Sequence, residues 1–586
     1  MPTLTLSRLN WPRGLVVTLT AIAIFLPLTL IFYQSFLSAP FFMPNKIFSL
    51  DAFRFIFDDP DFRLAFINGT MLAVGLAVIA VPLGAMLAFL MIRTDLPGRS
   101  WIAPLLLVPI FVSPMVMAFG YVVSMGPVGF YTLWVRQLIG VQPWNIYSFA
   151  SIVVIAGLTH VPHVYLYAAS ALKSLGSDVE EAARVAGASP LQVALNVSLP
   201  MIMPALAYAA VLVLFLGFEV FGLVLVLGDP EGHLVLSTYL YKLTNKLGTP
   251  SYHLMAAVAV CLVAVTLPLV LFQRRLLKSA NKYVSIKGKG SRQKPLPLGK
   301  WKWISFAFIA AWLLFTIVMP LSGIALRSFV TNWGEGVTLA DAVTLQNFRD
   351  IWDQPSLLRG ILNTVLISVI GGAIAVGCYS AIALAAHRKP DGITRFLDYS
   401  VLIPRAIPGL LAGLSFLWVF LFVPAALENL LKGFDNGIAQ WLVENLIPQL
   451  RALRSTVFSI WIAYSVVWLA YGLRLISTAL LQVGPELEEA ARAVGAKRGQ
   501  VTRDITLPLV RYGLLGAWLM IFLIFEREYS TGVYLLSPGT EVIGAMLVSL
   551  WATGATDLVA ALSFINIVLV AIGLWIALRF GVKLHN

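Results

Sequence analysis

Apolar residues in this chain fall into long unbroken runs separated by short polar breaks, and such runs recur about twelve times. Each holds about 20 residues, the length that crosses ~30 Å of hydrocarbon as a helix. Two-residue alternation is not the theme, so the pattern predicts a helical bundle and not a barrel. The runs lie near 15–36, 66–92, 101–123, 148–172, 203–228 and 253–272, then near 303–326, 361–386, 398–423, 456–480, 510–536 and 556–580. An all-α, polytopic membrane protein with two sets of six spans is expected.

The polar breaks show how the sets are related. Glu180-Glu-Ala-Ala-Arg-Val-Ala-Gly-Ala188 recurs as Glu488-Glu-Ala-Ala-Arg-Ala-Val-Gly-Ala496, 308 positions later. Asn68, Arg93 and Pro109 match Asn363, Arg388 and Pro404 at an offset of 295, so 13 residues are inserted between the two zones, most easily within 424–455. The chain therefore reads as a tandem duplication: a first half 1–272 with a core from about 66, a linker 273–302, and a second half 303–586 with a core of about 361–580. Six spans per half give both halves one orientation, so the repeats are parallel.

Composition narrows this further. The 586 residues are 59% hydrophobic and 12% charged, outside the range of soluble domains. A net charge of +13 invites a nucleic-acid reading, but its placement argues for topology. Between Gln273 and Lys302 stand Arg274, Arg275, Lys278, Lys282, Lys287, Lys289, Arg292, Lys294, Lys300 and Lys302 without one acid. By the positive-inside rule this linker is cytoplasmic, and contact with anionic lipid is a secondary reading. Arg8 and Arg13 place the N-terminus on the same side, and the first run is read as a retained span. The turns beginning at Arg93 and His387, and both Glu-Glu-Ala-Ala segments, then face the cytoplasm. Stretches 37–63, with Asp51, Asp58, Asp59 and Asp61, and 327–359 face outward. Cys261 and Cys378 sit in apolar runs and form no disulfide or metal framework.

The repeated segment is built to be a short helix. Ser177 and Glu180 have capping-box spacing, and Pro485 follows Gly484 at a favourable first helical position. The acids suit the positive end of the dipole. Gly187 and Gly495 stop the helix after about two turns, and Ser189-Pro190 starts another. Paired alanines make one face smooth, while the glutamates and Arg184 or Arg492 offer ion pairs. On these residues alone, a docking helix and a well-capped loop duplicated by descent are equally supported.

Glu181-Ala182-Ala183-x3-Gly187-x9-Val197-x-Leu199-Pro200 and Glu489-Ala490-Ala491-x3-Gly495-x9-Ile505-x-Leu507-Pro508 resemble the EAA motif of type I ABC importer permeases, Val197 being a mild departure. The likeness spans nearly the whole chain, each half resembling one permease domain. It implies two coupling helices, formed by Glu180, Glu181, Ala182, Ala183, Arg184 and Gly187 and by Glu488, Glu489, Ala490, Ala491, Arg492 and Gly495, each docking on one ATP-binding subunit. It also implies an extracytoplasmic substrate-binding protein and a place in the bacterial inner membrane. The chain has no phosphate loop, since Gly288-Lys-Gly-Ser is not one, so ATP and magnesium belong to partner subunits and this chain is not itself an enzyme.

Intramembrane acids are functional suspects. Phe215-x2-Phe218-Glu219 echoes Phe522-x2-Phe525-Glu526, and Arg527 and Glu528 follow. Glu219, Glu526 and Glu528 are candidates for a gate or cation pathway, with an internal ion pair or an interfacial position as the plainer reading. His160 and His163 have metal-compatible spacing, but Trp468 and Tyr471 replace them in the second half, which favours packing or hydrogen bonding. Asn68 and Asn363 read as caps or interhelical anchors, and Trp144, Tyr147 and Trp551 as interfacial aromatics. An ion-coupled secondary transporter would explain twelve spans but not the duplicated docking motif. A membrane enzyme lacks a repeated nucleophile or ligand set. Among fused permeases, the layout resembles the ferric iron group, with thiamine, polyamine and aminophosphonate importers as relatives.

Overall fold

The computed structural model describes residues 11–41, 43, 45–174, 178–245, 251–280, 295–387, 391–404, 407–434 and 436–579. Arg8, Ser177, Arg388 and the linker cations Lys282, Lys287, Lys289, Arg292 and Lys294 lie outside them. Helices dominate, and among the described residues eleven are long and apolar enough to cross a membrane: Pro12–Ser35, Pro60–Arg93, Pro114–Ile139, Phe149–Ser174, Pro190–Glu219 and Tyr252–Gln273, then Trp301–Ser328, Pro355–Ala386, Gly409–Leu431, Gly499–Arg527 and Thr556–Ile576. Val457–Val467 and Leu469–Leu480, bent by 63°, complete a twelfth if the pair is one span.

Expected boundaries move in both halves, the ninth span starting at Gly409 and not near 398 and the eleventh ending at Arg527 and not near 536, and the shifts of the first half have reasons in the chain. The third span starts at Pro114 and not near 101, because Pro104, Pro109 and Pro114 divide the apolar run and leave Arg99–Phe111 as a separate short helix. The fifth stops at Glu219, and the apolar residues after it form a wholly buried short helix, Gly222–Leu227. The inserted residues of the second half fall where Gly409–Leu431 and Gly437–Leu453 are each longer than their counterparts Pro114–Met125 and Phe130–Ile139.

The helices pack as two compact units, and these do not follow chain order. One holds the described residues of Met1–Phe48, Gln354–Met546 and Asn566–Asn586; the other holds Ser49–Asp353 and Leu547–Ile565. The first span thus packs in the unit that contains the second-half core. There Arg13 donates to both Asp391 carboxylate oxygens, to Thr394 Oγ1 at 3.1 Å and to the Ala385 carbonyl at 2.9 Å, while Phe25 stacks on Phe396. The Arg13 hydrogen bonds hold the Asp391 carboxyl well below the usual carboxylate range.

The other unit receives the seventh span, which packs on the third. A β-carbon on Gly120 would lie 2.7 Å from the Pro320 carbonyl oxygen, and one on Gly323 would strike Ser124 Oγ, so two glycines permit the close approach. Ser124 Oγ donates to the Met319 carbonyl at 2.7 Å, and Tyr121 OH to the Phe315 carbonyl at 3.0 Å.

Candidate coupling segments and membrane acids

The first repeated segment is the helix Asp178–Val185, the second Pro485–Ala493. Each is closed by a glycine in the left-handed region, Gly187 at φ 92° and Gly495 at φ 90°. The backbone bonds from Ala188 N to Ala183 O and from Gly187 N to Arg184 O, repeated by Ala496 to Ala491 and Gly495 to Arg492, form the same glycine-terminated cap twice. Ser189 then caps Pro190–Val193, with Gln192 completing a capping box.

The two adjacent glutamates of each copy have different surroundings. Glu180 is buried, and its Oε1 meets Arg93 Nε at 3.1 Å and accepts from Ser198 Oγ at 2.7 Å. Arg93 is the last residue of the second span. Glu181, by contrast, is exposed, as are Ala182, Val185 and Gly187, while Ala183 and Arg184 are half-buried. In the second copy Glu488 is buried, accepting from Thr506 Oγ1 at 3.1 Å, with His387 Nε2 at 3.3 Å and Arg492 Nη2 at 3.4 Å. Glu489, Ala490, Arg492 and Gly495 are exposed and Ala491 is half-buried. Val185 and Val494, 90% and 87% exposed, lie on the same open surfaces.

Sequence reasoning passed over Ser198 and Thr506. Each stands 18 residues after its glutamate and directly before Leu-Pro, in what the motif leaves as an unspecified position. Their backbone explains the placement. Pro200 and Pro508 offer no N–H to the carbonyl four residues back, and the preceding turns, Ala194–Ser198 and Thr502–Thr506, are wide π-turns. The recurrence of a hydroxyl side chain at that position in both halves was the available signal.

The membrane acids end their spans. Glu219 is the last residue of Leu199–Glu219 and half-buried. Glu526 is 1% exposed, and its Oε1 accepts from Asn566 Nδ2 at 2.7 Å. Glu528 caps its helix. Its Oε1 accepts from the N–H and hydroxyl of Ser530 and of Thr531, and its Oε2 from Trp468 Nε1 at 3.0 Å. Five donors thus fix the Glu528 carboxylate within its own surroundings.

Asn68 and Asn363 tie their spans to the loops that precede Leu236–Asn245 and Ile543–Ala552, donating to the carbonyls of Leu234 at 3.1 Å and of Glu541 at 2.8 Å. Beside Asn363, Arg359 Nη2 meets Glu541 Oε1 at 2.6 Å and holds that carboxyl below its ordinary range. His160 hydrogen-bonds the Ala156 carbonyl of its own helix at 2.8 Å and stacks on His163. Trp144 donates to the Met125 carbonyl, and Trp551 packs edge-on against Phe119.

Residues 80–282 and 373–584 each match the family described as binding-protein-dependent transport system inner membrane component. The chain belongs to this family. As an inner membrane component with two such regions, it is 24% identical over 450 residues to the ferric transport system permease protein FbpB of Actinobacillus pleuropneumoniae, an alignment covering 76% of this chain and 60% of that relative. A putative ferric transport system permease protein, FbpB 1 of Haemophilus influenzae, gives 23% identity over 74% of this chain and 64% of its own length. The alignments with these two relatives thus span about three fifths of their lengths. A probable ABC transporter permease protein, y4fN of Sinorhizobium fredii, is 25% identical over 96% of this chain and 95% of its own. Among solved structures, a bacterial alginate ABC transporter in complex with an alginate-bound periplasmic protein aligns with 40% of this inner membrane component and 84% of its own chain, at 22% identity and a TM-score of 0.35.

Proposed function

We propose that the chain is the membrane permease of an ATP-driven, binding-protein-dependent importer and works by alternating access. The observation that carries this reading is the pairing of two family-matched regions with two glycine-stopped helices, each exposing one glutamate and an alanine face. Each helix, Glu180 to Gly187 and Glu488 to Gly495, docks on one copy of an ATP-binding subunit. A substrate-binding protein delivers cargo from outside, and the termini and basic linker lie in the cytoplasm of a bacterial cell. ATP and magnesium are held by the partner subunits; this chain moves cargo and catalyses no reaction.

Ferric iron is the proposed cargo, supported by the ferric permease relatives; thiamine, polyamine and aminophosphonate are the competing cargoes. A putrescine transport system permease protein, PotI of Escherichia coli, aligns at 22% identity over 46% of this chain and keeps the polyamine reading in view. Of the three membrane acids, Glu219 and Glu526 are the pathway candidates, because the acceptor sites of Glu528 are occupied by Ser530, Thr531 and Trp468.

Reconstitution in proteoliposomes with the ATP-binding and substrate-binding subunits tests the proposal. ATP-dependent uptake of ferric iron, abolished when the ATP-binding subunit is omitted, is the expected result. Uptake by the chain alone, driven by an ion gradient without ATP, would overturn the transporter class. ATP-dependent uptake of putrescine in place of iron would overturn the cargo alone.

A further inference from the structure

We propose that Arg93 and Glu180 in the first half, and Glu488 with Thr506 in the second, are positioning residues that carry motion from each coupling helix into the spans, while grip on the partner belongs to Glu181 and Glu489 with their exposed neighbours. The inference depends on the permease reading and divides its motif into an outward and an inward part.

Three elements meet at Glu180. It stands on the short helix, Arg93 ends the 34-residue helix Pro60–Arg93, and Ser198 closes the π-turn inside the fifth span. Arg93 and Glu180 are both almost fully buried, with side-chain exposures of 3% and 6%. A charge pair removed from water has little freedom to slide, because each partner is costly to leave uncompensated.

The covalent link from the short helix to the fifth span is much softer. It runs through Gly187, where nothing lies within 4 Å of an added β-carbon and φ is 92°. Gly495 is the same open joint in the second half, at φ 90°. A push on the alanine face would bend such a joint unless a second connection stiffened it. The buried strut is that connection, and it reaches the second and fifth spans together.

The second half keeps the glutamate and the hydroxyl at the same spacing of 18 residues, so the strut is a repeated device and not one local contact. Arg492 on its own helix and the imidazole of His387, at the end of the eighth span, also approach Glu488. Arg93 is itself held in place by its backbone, whose carbonyl accepts from Leu296 N at 2.7 Å.

The test uses the full chain purified with its ATP-binding subunit and reconstituted with the binding protein. It reads subunit retention and cargo moved per ATP hydrolysed. Glu180→Gln is expected to retain the subunit and to lower cargo per ATP by at least about tenfold, as loss of a hydrogen-bonded buried charge allows. Glu181→Lys is expected to lower subunit retention instead. Exchanging the charges in Arg93→Glu with Glu180→Arg should recover much of the coupling lost in Arg93→Glu alone.

Wild-type cargo per ATP in Glu180→Gln would overturn the inference, as would equal loss of retention in Glu180→Gln and Glu181→Lys. If Glu180→Gln does not insert, Ser198→Ala combined with Thr506→Val decides the matter. An unchanged ratio overturns the inference, and a fall of about threefold or more supports it. A wild-type chain that retains and stimulates no ATP-binding subunit overturns the permease reading, and the strut with it.

Discussion

The two copies of the repeated segment share a skeleton, and among the described residues different side chains surround each buried glutamate. In the first, Glu180 faces the guanidinium of Arg93 and one serine hydroxyl. In the second, Glu488 is met by a threonine hydroxyl, the imidazole of His387 and the more exposed Arg492 of its own helix. The buried carboxylate and its hydroxyl partner are common to both, as are the terminal glycines and the exposed second glutamate. Duplication preserved the parts that fix geometry.

The largest effects should come from the parts held in common. Gly495→Pro cannot adopt φ 90°, and Glu489→Lys reverses the charge of the outward face; each is expected to abolish transport and stimulated ATP hydrolysis while leaving the protein inserted, read by uptake and by membrane fractionation. Unimpaired ATP-dependent uptake in both would break the assignment of these segments as couplers.

The next effect separates the copies. Arg93→Ala leaves Glu180 without its guanidinium and should destabilise the purified protein by about 3–5 kcal/mol, whereas His387→Ala, with other donors remaining on Glu488, should lose about 1–2 kcal/mol. Denaturant unfolding in detergent measures both, and equal losses would erase the contrast. Gly187→Ala and Gly495→Ala should then match one another at about 1 kcal/mol, because both positions are open and only backbone conformation opposes the β-carbon.

A smaller effect extends the comparison to the loops that hold Asn68 and Asn363. Leu64 matches Arg359 at the offset of 295, and Leu234, whose carbonyl accepts from Asn68 as that of Glu541 accepts from Asn363, stands in the place of Glu541, so an ion pair in one half stands where the other has leucines. Arg359 lowers the Glu541 carboxyl below its ordinary value, mainly through its hydrogen bond. The pair's contribution is therefore complete above the unfolded glutamate value of about 4.3 and is lost as pH falls through the lower folded value. The melting temperature of the wild type should fall more between about pH 5 and 3 than that of Arg359→Leu. Parallel curves would remove this difference between the halves.

Much of the architecture was legible because it is periodic and local. Hydrophobic run length marked the spans, and the two glycines marked where the repeated helices stop, since an open left-handed turn has few other solutions. The constant offset marks Asn68 and Asn363, and the structure supplies their carbonyl partners. The start of the third span was hidden because hydropathy does not register Pro104 and Pro109 as breaks within a run that stays apolar. The inward turn of Glu180 was hidden for another reason: its partners, Arg93 and Ser198, are distant in sequence, and adjacent glutamates carry no mark of which one the helix will bury. The placement of the first and seventh spans depends on contacts of still greater separation, such as Arg13 with Asp391, which no local pattern encodes.

That last contact has a consequence for the order in which the molecule is made. Arg13 and Phe25 find their partners only at Asp391 and Phe396, so during synthesis the first span enters the membrane well before the surface it packs against exists. At ordinary elongation rates the delay is on the order of tens of seconds. For that interval the face of the first span destined for Phe396 lacks its native partner, which exposes this helix to the cell's membrane quality control.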